Sequence, residues 1–216
     1  MKIKALMPVR FKRFYSQYRS AAFGLLDVGC GNHSPSQTLK WFPHCRYHGV
    51  DRVNCDDPAD LAAMTRFSQL DLDRQDLSSL PNGTFDVILF SHVIEHLTRG
   101  LDVLAELADK LAPGGRIYVE FPSERSVRLP HMKGTLNFHD DPTHVRLYRL
   151  QEVRDVLRSG GLEIVSSGRR RDIAHILLCP VHLAYNLVRH GRLSAAALWD
   201  LLGFADYVYA HRPAAR

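Results

Sequence analysis

The sequence predicts a doubly wound α/β fold in which helices cover both faces of a mostly parallel β-sheet. Short apolar runs alternate along the chain with longer segments at helical spacing, which is typical of right-handed βαβ units. The first apolar run, residues 25–28, leads into Gly29-Cys30-Gly31, as a buried parallel strand does when it turns sharply into a helix. The chain has no internal repeat, and its 216 residues suffice for one core. A single domain is therefore expected.

The elements follow in order, and capping and turn residues mark their ends. Asp57 and Pro58 suit the N-cap and the first position of a helix, and Gly160-Gly161 suits the end of another. Strands are expected at 25–28, 46–50, 68–72, 85–90, 116–121, 162–166 and 204–210. Helices are expected at 58–67, 98–111, 148–159, 173–188 and 193–202, and the last two form an insertion of about residues 173–202 between the final strands.

The composition is that of an ordinary globular protein. Hydrophobic residues make up 45% and charged residues 24% of the chain, and the formal net charge is +5, which allows an anionic partner without requiring one. The four cysteines show neither a CxxC nor a zinc spacing, so we expect reduced thiols in a cytosolic enzyme. Because no run resembles a signal peptide or a membrane span, a cytoplasmic location is expected.

Residues 1–22 form a basic N-terminal segment for which helical structure is predicted. Its basic residues are Lys2, Lys4, Arg10, Lys12, Arg13 and Arg19, without an acid among them. Phe11, Phe14, Tyr15 and Tyr18 are interleaved at roughly helical spacing. One interpretation is a basic amphipathic helix that lies on a membrane or on RNA. The other is a capping helix whose aromatic side chains cover a cleft, since helical spacing marks a buried face.

Polar residues follow four of the expected strands. Asp27, Asp51, Asp71 and Ser91 fall at strand ends, and ligands bind at the carboxyl ends of strands in open α/β sheets. An acid about twenty residues past a glycine turn is placed to accept both ribose hydroxyls, and Asp51 occupies that position. Asp71 could accept a hydrogen bond from the exocyclic amine of adenine. The sequence therefore predicts an adenosine ligand.

The glycine turn favours an adenosine that carries no phosphate. Dinucleotide-binding turns usually need a third glycine, because a pyrophosphate must sit against the helix N-terminus. His33 occupies that third position here, and the helix expected from about residue 35 is short. S-adenosylmethionine, an adenosine without phosphates, fits these residues better.

Five motifs in order resemble those of class I S-adenosylmethionine-dependent methyltransferases. They are Leu26-Asp27-Val28-Gly29-Cys30-Gly31, His48-Gly49-Val50-Asp51, Leu70-Asp71-Leu72, the fourth-strand segment 85–97 and Leu111-Ala112-Pro113-Gly114-Gly115. The resemblance covers about residues 23–168. It implies a seven-stranded sheet with an antiparallel last strand, and a single methyltransferase domain over residues 23–216.

The same resemblance implies which residues bind the cofactor. Asp27 would lie near its amino group, Asp51 would hold the ribose, and Ser91 would border the methyl donor. The full expected set is Asp27, Gly29, Cys30, Gly31, Asp51, Arg52, Asp71, Leu72, Ser91 and His92. The chain departs from the family pattern at His33 and in the short segment before the first strand. No metal ion is expected.

The loop 137–146 is where the resemblance implies that the methyl acceptor binds. His139, Asp140 and His144 in this loop are the candidate catalytic residues, because a histidine is suited to removing a hydroxyl proton near neutral pH. A metal site is one alternative, disfavoured beside Pro142 by ligand geometry. The other is a loop held by Asx turns and docked by a histidine.

The residues 141–144, Asp-Pro-Thr-His, resemble a stretch of methyltransferases found with bacterial polysaccharide and glycolipid assembly. That likeness implies a sugar or lipid-linked hydroxyl as acceptor. The expected function is therefore methyl transfer from S-adenosylmethionine to a hydroxyl of a small molecule, a sugar or a lipid-linked glycan. An RNA methyltransferase, suggested by the basic N-terminus, and a non-catalytic adenosine-binding module are the alternatives.

The segment after the sixth strand allows three interpretations. Arg169-Arg170-Arg171 precede the two apolar helices of the insertion. These helices could wall an acceptor pocket, or lie on a membrane with the arginines facing anionic headgroups. They could also pack against the cleft or a second subunit. Peripheral membrane contact is thus one expectation, and the sequence does not predict the oligomeric state.

Overall fold

The computed structural model describes residues 7–214 and contains a seven-stranded β-sheet with helices on both faces. The strands are β1 (Phe23–Val28), β2 (Cys45–Asp51), β3 (Arg66–Gln69), β4 (Phe85–Ser91), β5 (Leu111–Pro122), β6 (Glu163–Arg169) and β7 (Ala205–His211). The α-helices are α1 (Val9–Lys12), α2 (Tyr15–Tyr18), α3 (Ser34–Trp41), α4 (Pro58–Ala63), α5 (Gly100–Lys110), α6 (Leu150–Ser159), α7 (Ile173–His190) and α8 (Ala195–Leu202). Lys2 and Lys4 lie outside the described residues.

The strands are arranged in the order β3-β2-β1-β4-β5-β7-β6. Neighbouring strands from β3 to β5 are parallel, and β7 runs antiparallel to both β5 and β6. The expected sheet with its antiparallel last strand is confirmed, and α7 and α8 form the expected insertion between β6 and β7. Because the six strands β1 to β6 share one direction, their carboxyl ends meet at one side of the sheet, hereafter the carboxyl edge.

Apolar side chains fill both faces of the sheet. On one face, Leu104 of α5 and Leu157 of α6 belong to the same buried cluster as Ile88 and Ile117 of the central strands. Each such side chain contributes about 1.5–3 kcal/mol by leaving water. The sheet therefore holds the carboxyl edge on a rigid core.

The N-terminal segment packs against the other face of the sheet. It forms two short helices, α1 and α2, and its Phe11 and Phe14 are fully buried. The Phe14 ring stacks on Phe42 with centroids 5.1 Å apart, and Phe11 meets the same ring edge-on at 5.4 Å. The basic side chains that alternate with these rings contact the protein as well, since Lys12 Nζ lies 2.7 Å from Asp172 Oδ2.

The region between β2 and β3 differs from the sequence prediction. The helix expected at 58–67 ends at Ala63, and the strand expected at 68–72 spans Arg66–Gln69. Pairing with β2 explains the shift, because His48 lies opposite Arg66 and Asp51 opposite Gln69 in the parallel ladder. Local apolar periodicity could not reveal this register.

Candidate functional site

The carboxyl edge contains a cavity of about 300 Å³, hereafter the first cavity. Five of the expected cofactor-binding residues line it: Gly29, Asp51, Arg52, Asp71 and Leu72. Val93, His96 and Thr143 also line it, and none of these three was among the expected site residues. The strand ends thus bring together residues up to 114 positions apart in the sequence, from Gly29 to Thr143.

Gly29 shapes one wall of the first cavity. Its φ is +71°, a left-handed conformation that favours glycine. A Cβ added there would lie 2.2 Å from Cγ2 of Val93. The wall is therefore closed to any larger residue, and the backbone itself faces the cavity. Gly31 also has a positive φ, +50°, but with open space around it.

Two of the three carboxylates that line the first cavity, those of Asp51 and Asp71, fit an adenosine. Asp51 Oδ2 accepts a hydrogen bond from the Gly31 amide at 3.0 Å, so the carboxylate at the end of β2 reaches the glycine turn. Asp71 Oδ1 accepts from the Asp73 amide at 3.1 Å. Each carboxylate keeps further acceptor positions, and Leu70 and Leu72 supply apolar contacts for a base. These carboxylate acceptors suit ribose hydroxyls and an adenine amine, which donate.

Asp27 and Cys30 lie under the glycine turn rather than in the first cavity. Asp27 is buried and its Oδ2 accepts from the Tyr47 hydroxyl at 2.6 Å and from the Ser34 hydroxyl. Burial raises the pKa of the Asp27 carboxyl. Cys30 is buried in the aromatic cluster on the α1 side. The Cys30 side chain therefore faces the core, which leaves only its backbone for a ligand.

Ser91 and His92 line a second cavity of about 420 Å³. It lies between the end of β4, the N-terminal segment and the helical insertion. Its other lining residues include Arg10, Gln37, Glu120, Arg170, His175 and Trp199. The two cavities flank the turn 91–93, so the expected cofactor-binding residues divide between them.

Charged side chains form a buried network beside the second cavity. His92 Nε2 lies 2.8 Å from Glu120 Oε1, and His92 Nδ1 lies 3.2 Å from Glu95 Oε1. Arg170 donates from Nη1 to Glu120 Oε1 at 2.8 Å and from Nη2 to Asp200 Oδ2 at 2.9 Å. Burial by itself would lower the pKa of His92, but the bonds to Glu120 and Glu95 outweigh it and raise the pKa to about 9. His92 is thus a cation at neutral pH.

The loop 137–146 places its three candidate catalytic residues in different surroundings. Asp140 Oδ2 accepts hydrogen bonds from the amides of Met132, Leu136 and Asn137 at 2.8–3.0 Å. Burial opposes ionisation of Asp140, yet these amides lower its pKa to about 2. Its carboxylate therefore organises the loop. His139 is exposed, and its ring meets the edge of Phe138.

His144 is the member of the three whose ring contacts a residue that lines the first cavity. Its side chain is 4% exposed, and its Nδ1 lies 2.6 Å from the Phe138 carbonyl. The His144 ring centroid is 4.8 Å from that of His96, which lines the first cavity. The amides of Val145 and Arg146 donate to the carbonyl of Glu95, which fixes the loop on the 3-10 helix Ile94–His96. Glu95, His96 and His144 are therefore neighbours, an arrangement that the sequence analysis did not predict.

Arg170 and Glu120 also lay outside the expected site. Glu120 is near the end of β5 and Arg170 follows β6 directly. Both positions belong to the carboxyl edge, so the rule that located Asp51 and Asp71 applies to them as well. No sequence rule predicted Trp199 as a site residue, because its position depends on how α8 packs on the sheet.

Comparisons with known proteins agree with this architecture. A family model described as a methyltransferase domain matches residues 8–167. The ubiquinone biosynthesis O-methyltransferase of Nitrosococcus oceani is 26% identical over 176 residues, which cover 73% of this chain and 70% of that protein. A probable S-adenosylmethionine-dependent methyltransferase of Mycolicibacterium smegmatis is 28% identical over 150 residues, covering 68% of this chain and 54% of that protein.

Solved structures share the fold at low sequence identity. An S-adenosylmethionine-dependent methyltransferase from Archaeoglobus fulgidus superposes with a TM-score of 0.60 at 17% identity, covering 94% of this chain and 91% of that chain. Phosphoethanolamine N-methyltransferase 2 of Haemonchus contortus, solved with S-adenosylmethionine, gives a TM-score of 0.62 at 13% identity. The match covers 94% of this chain and 51% of that chain. With the family model matching well over half of its residues, the chain belongs to the methyltransferase-domain family and is an S-adenosylmethionine-dependent methyltransferase.

Proposed function

We propose that this enzyme transfers the methyl group to a hydroxyl of a small molecule, a sugar or a lipid-linked glycan. The observation that carries the proposal is the pair of cavities on either side of the turn 91–93. A cofactor with its adenosine in the first cavity and an acceptor in the second would meet at this turn. When bound, the cofactor supplies an electrophilic methyl group on a sulfonium sulfur.

The protein's part is to bind and align the two reactants. Asp51 and Asp71 would hold the ribose and the adenine, and Gly29 would let the backbone approach the methionine part. Arg10 is suited to bind the carboxylate of the cofactor's methionine part, because Nε of Arg10 is buried without a hydrogen-bond partner among the described residues. Arg10 also donates from Nη2 to Ser34 Oγ at 3.2 Å, next to Asp27.

His144 is the group that would receive the proton of the acceptor hydroxyl. The Phe138 carbonyl can only accept a hydrogen bond, so His144 Nδ1 carries a proton, and the neutral ring has its lone pair on Nε2. As the acceptor oxygen takes the methyl group and the demethylated cofactor is left behind, Nε2 of His144 would receive the hydroxyl proton. His139 and Asp140 have no part in this step, since one is exposed and the other holds the loop.

Two observations favour a small hydroxyl-bearing acceptor over RNA. The second cavity is compact, at about 420 Å³, and Trp199 lies beside charged groups in it. Three of the four basic residues described in the N-terminal segment contact the protein, since Arg10 binds Ser34, Lys12 pairs with Asp172 and Arg13 donates to the Tyr207 hydroxyl. The name of the Nitrosococcus relative, an O-methyltransferase, supports a hydroxyl as acceptor.

The exposed face of α7 favours an acceptor that is reached at a membrane surface. Ile173, Leu177, Val181 and Val188 are each more than 60% exposed and recur at positions that share one helix face. Residues 173–199 contain no acid, and exposed arginines lie at positions 171, 189 and 192. No helix within residues 7–214 is long and apolar enough to cross a bilayer. We propose that α7 lies on an anionic lipid surface, with its apolar face among the acyl chains.

Transfer of label from methyl-tritiated S-adenosylmethionine tests the proposed reaction. The acceptors are an amphiphilic catechol, a glycolipid with free sugar hydroxyls, and RNA. We expect label in a hydroxyl compound, lower turnover in His144→Ala, and unchanged turnover in the control His139→Ala. The wild type, His144→Ala and His139→Ala should bind the cofactor with equal affinity, as measured by calorimetry. Label in RNA, at a rate that falls steeply with salt, would establish the RNA alternative. Cofactor binding without transfer to any acceptor class would favour the non-catalytic alternative.

A further inference from the structure

Glu95, His96 and His144 bring one carboxylate and two imidazoles together at the wall of the first cavity. One potential ligand atom of each lies within 4.8 Å of the other two. Glu95 and His96 are on the 3-10 helix Ile94–His96, and the docked loop brings His144 to it. Two histidines and one carboxylate are a common ligand set for divalent transition metals.

Both imidazoles are hydrogen-bonded through Nδ1, which leaves Nε2 as the nitrogen available to a metal ion. His144 Nδ1 lies 2.6 Å from the Phe138 carbonyl. His96 Nδ1 lies 3.3 Å from the carbonyl and 2.9 Å from the hydroxyl of Thr143. Since a carbonyl only accepts, each ring donates from Nδ1, so the neutral form of each ring carries its lone pair on Nε2. A metal-binding histidine is typically oriented in this way, by a backbone carbonyl on its other nitrogen.

Glu95 supplies an independent observation. The residue is 1% exposed, and its Oε2 has no hydrogen-bond partner among the described residues, while Oε1 pairs with His92. A buried carboxylate oxygen without a partner is costly and rare. A cation between this oxygen and the two imidazoles would satisfy it.

A second group of potential ligands among residues 7–214 has no such unpartnered carboxylate oxygen. It consists of His33, Asp57 and Asp60. Asp60 already accepts from the amides of His33 and Ser36, and Asp57 caps α4 by accepting from the Ala59 amide at 2.8 Å. These carboxylates are satisfied by the backbone, which makes the group a matched control.

We propose that Glu95, His96 and His144 bind one divalent transition-metal ion such as Zn²⁺. Three protein ligands leave a coordination position open, as in catalytic zinc sites, and His96 lines the cofactor cavity. The inference rests on the proposed hydroxyl transfer and deepens it. The Nε2 lone pair of His144 then binds the ion, and the ion lowers the pKa of an acceptor hydroxyl bound at the open position. The proton leaves to solvent before the oxygen attacks the methyl carbon.

Metal titration of the full chain, stripped with EDTA, tests this site. Zn²⁺ binding by calorimetry and the visible spectrum of added Co²⁺ are read without substrate. We expect one tight site in the wild type and in the controls His33→Ala and His139→Ala. Glu95→Gln and His96→Asn should each weaken it by tenfold or more. Circular dichroism melting shows whether each variant is folded. If Glu95→Gln does not fold, His96→Asn still tests the site.

The outcomes separate the metal site from the methyltransferase proposal. Absence of a tight site in the wild type, or equal binding in wild type, Glu95→Gln and His96→Asn, would overturn the metal site. Hydroxyl methylation that persists in EDTA would overturn the role of the ion in the transfer while leaving the proposed function intact. A tight site without methyl transfer to any hydroxyl would support the site but remove the proposed reaction.

Discussion

Nε2 of His92 lies 2.8 Å from Oε1 of Glu120, and this ion pair joins the ends of β4 and β5 at the carboxyl edge. His92 holds a left-handed backbone conformation with φ of 56°, which costs a non-glycine residue about 1–3 kcal/mol. Glu120 is 3% exposed and also accepts from Arg170. One carboxylate thus keeps two buried cations paired.

Replacing Glu120 by glutamine should strongly destabilise the protein. The substitution keeps the shape of the side chain but leaves His92 and Arg170 without their shared counter-charge. Breaking a buried ion pair in this way costs about 3 kcal/mol or more, which urea unfolding would measure. Glu163→Gln is the control, since Glu163 is exposed and lies 3.6 Å from His211, and we expect a change of about 0.5 kcal/mol or less. Similar losses in both variants would contradict a stabilising role for the buried pair.

Asp51→Asn should weaken cofactor binding without unfolding the chain. The amide keeps the size of the side chain but loses the charge that strengthens hydrogen bonds to ribose hydroxyls. We expect the dissociation constant for S-adenosylmethionine to rise about tenfold to hundredfold, equivalent to about 1.5–3 kcal/mol. Isothermal titration calorimetry measures it, with Asp155→Asn on the exposed surface of α6 as the control. Equal affinities in the two variants would remove Asp51 from the site.

Gly29→Ala should abolish cofactor binding through a clash that a second substitution relieves. The new Cβ would meet Cγ2 of Val93 at 2.2 Å, in a backbone conformation that already disfavours a side chain. Gly31→Ala has open space, so it should cost only the conformational strain, about 1–2 kcal/mol. Thermal melts and calorimetry compare the two variants. The double variant Gly29→Ala, Val93→Ala should recover part of the lost affinity, and no recovery would show that the clash is not the cause.

The topology and the first cavity were predictable because they depend on local signals. A buried parallel strand is an apolar run, and topology places the polar residue after it at the carboxyl edge. Asp51 and Asp71 follow from that rule. The same rule predicted Ser91 and His92 as site residues. It did not predict the residues that surround them, because it does not indicate that a second cavity opens beside the turn 91–93.

The loop 137–146 shows which features the sequence could not predict. Asp140 had the residue type of a proton-transfer group, but three backbone amides converge on it, and only the folded loop reveals them. Glu95 and His96 are adjacent in the sequence, but His144 lies 48 residues after His96, and no spacing rule brings it to them. The shift of β3 to Arg66–Gln69 has a similar origin, because pairing with β2 outweighs the local apolar pattern.

His48 should make stability depend on pH between about 6.5 and 4. It is 6% exposed, and burial, reinforced by the charge of Arg66, lowers its pKa from 6.5 to about 4. Above pH 6.5 the imidazole is neutral in both the folded and the unfolded chain. As the pH falls below 6.5, only the unfolded chain takes up a proton, so the free energy of unfolding decreases until the folded chain is protonated near pH 4.

The loss attributable to His48 is at most about 3 kcal/mol across that window. Urea unfolding at several pH values would measure it as the difference between the wild type and His48→Gln. In the variant this part of the pH dependence should disappear. His190→Gln, at the exposed end of α7, should keep the wild-type profile. Parallel profiles for the wild type and His48→Gln would show that burial of His48 does not control this titration.

Leu177→Asp should detach the protein from anionic vesicles. Leu177 is 73% exposed on the apolar face of α7, and burying such a side chain in lipid is worth about 1.5–3 kcal/mol. Binding to phosphatidylcholine vesicles with and without phosphatidylglycerol is measured by flotation. We expect binding only with the anionic lipid, at least a tenfold loss in Leu177→Asp, and a smaller loss in Arg171→Gln. Leu61→Asp, on the surface of α4, is the control and should bind as the wild type does.

Sedimentation of the same variants distinguishes a membrane from a second subunit as the occupant of the α7 face. An apolar helix face of this size suits either one, but the arginines at positions 171, 189 and 192 would repel their counterparts in a symmetric dimer and attract lipid phosphates. We therefore expect a sedimentation coefficient independent of protein concentration. A dimer that Leu177→Asp dissociates, together with no vesicle binding by the wild type, would mean that this face joins two subunits and that the enzyme meets its acceptor in solution.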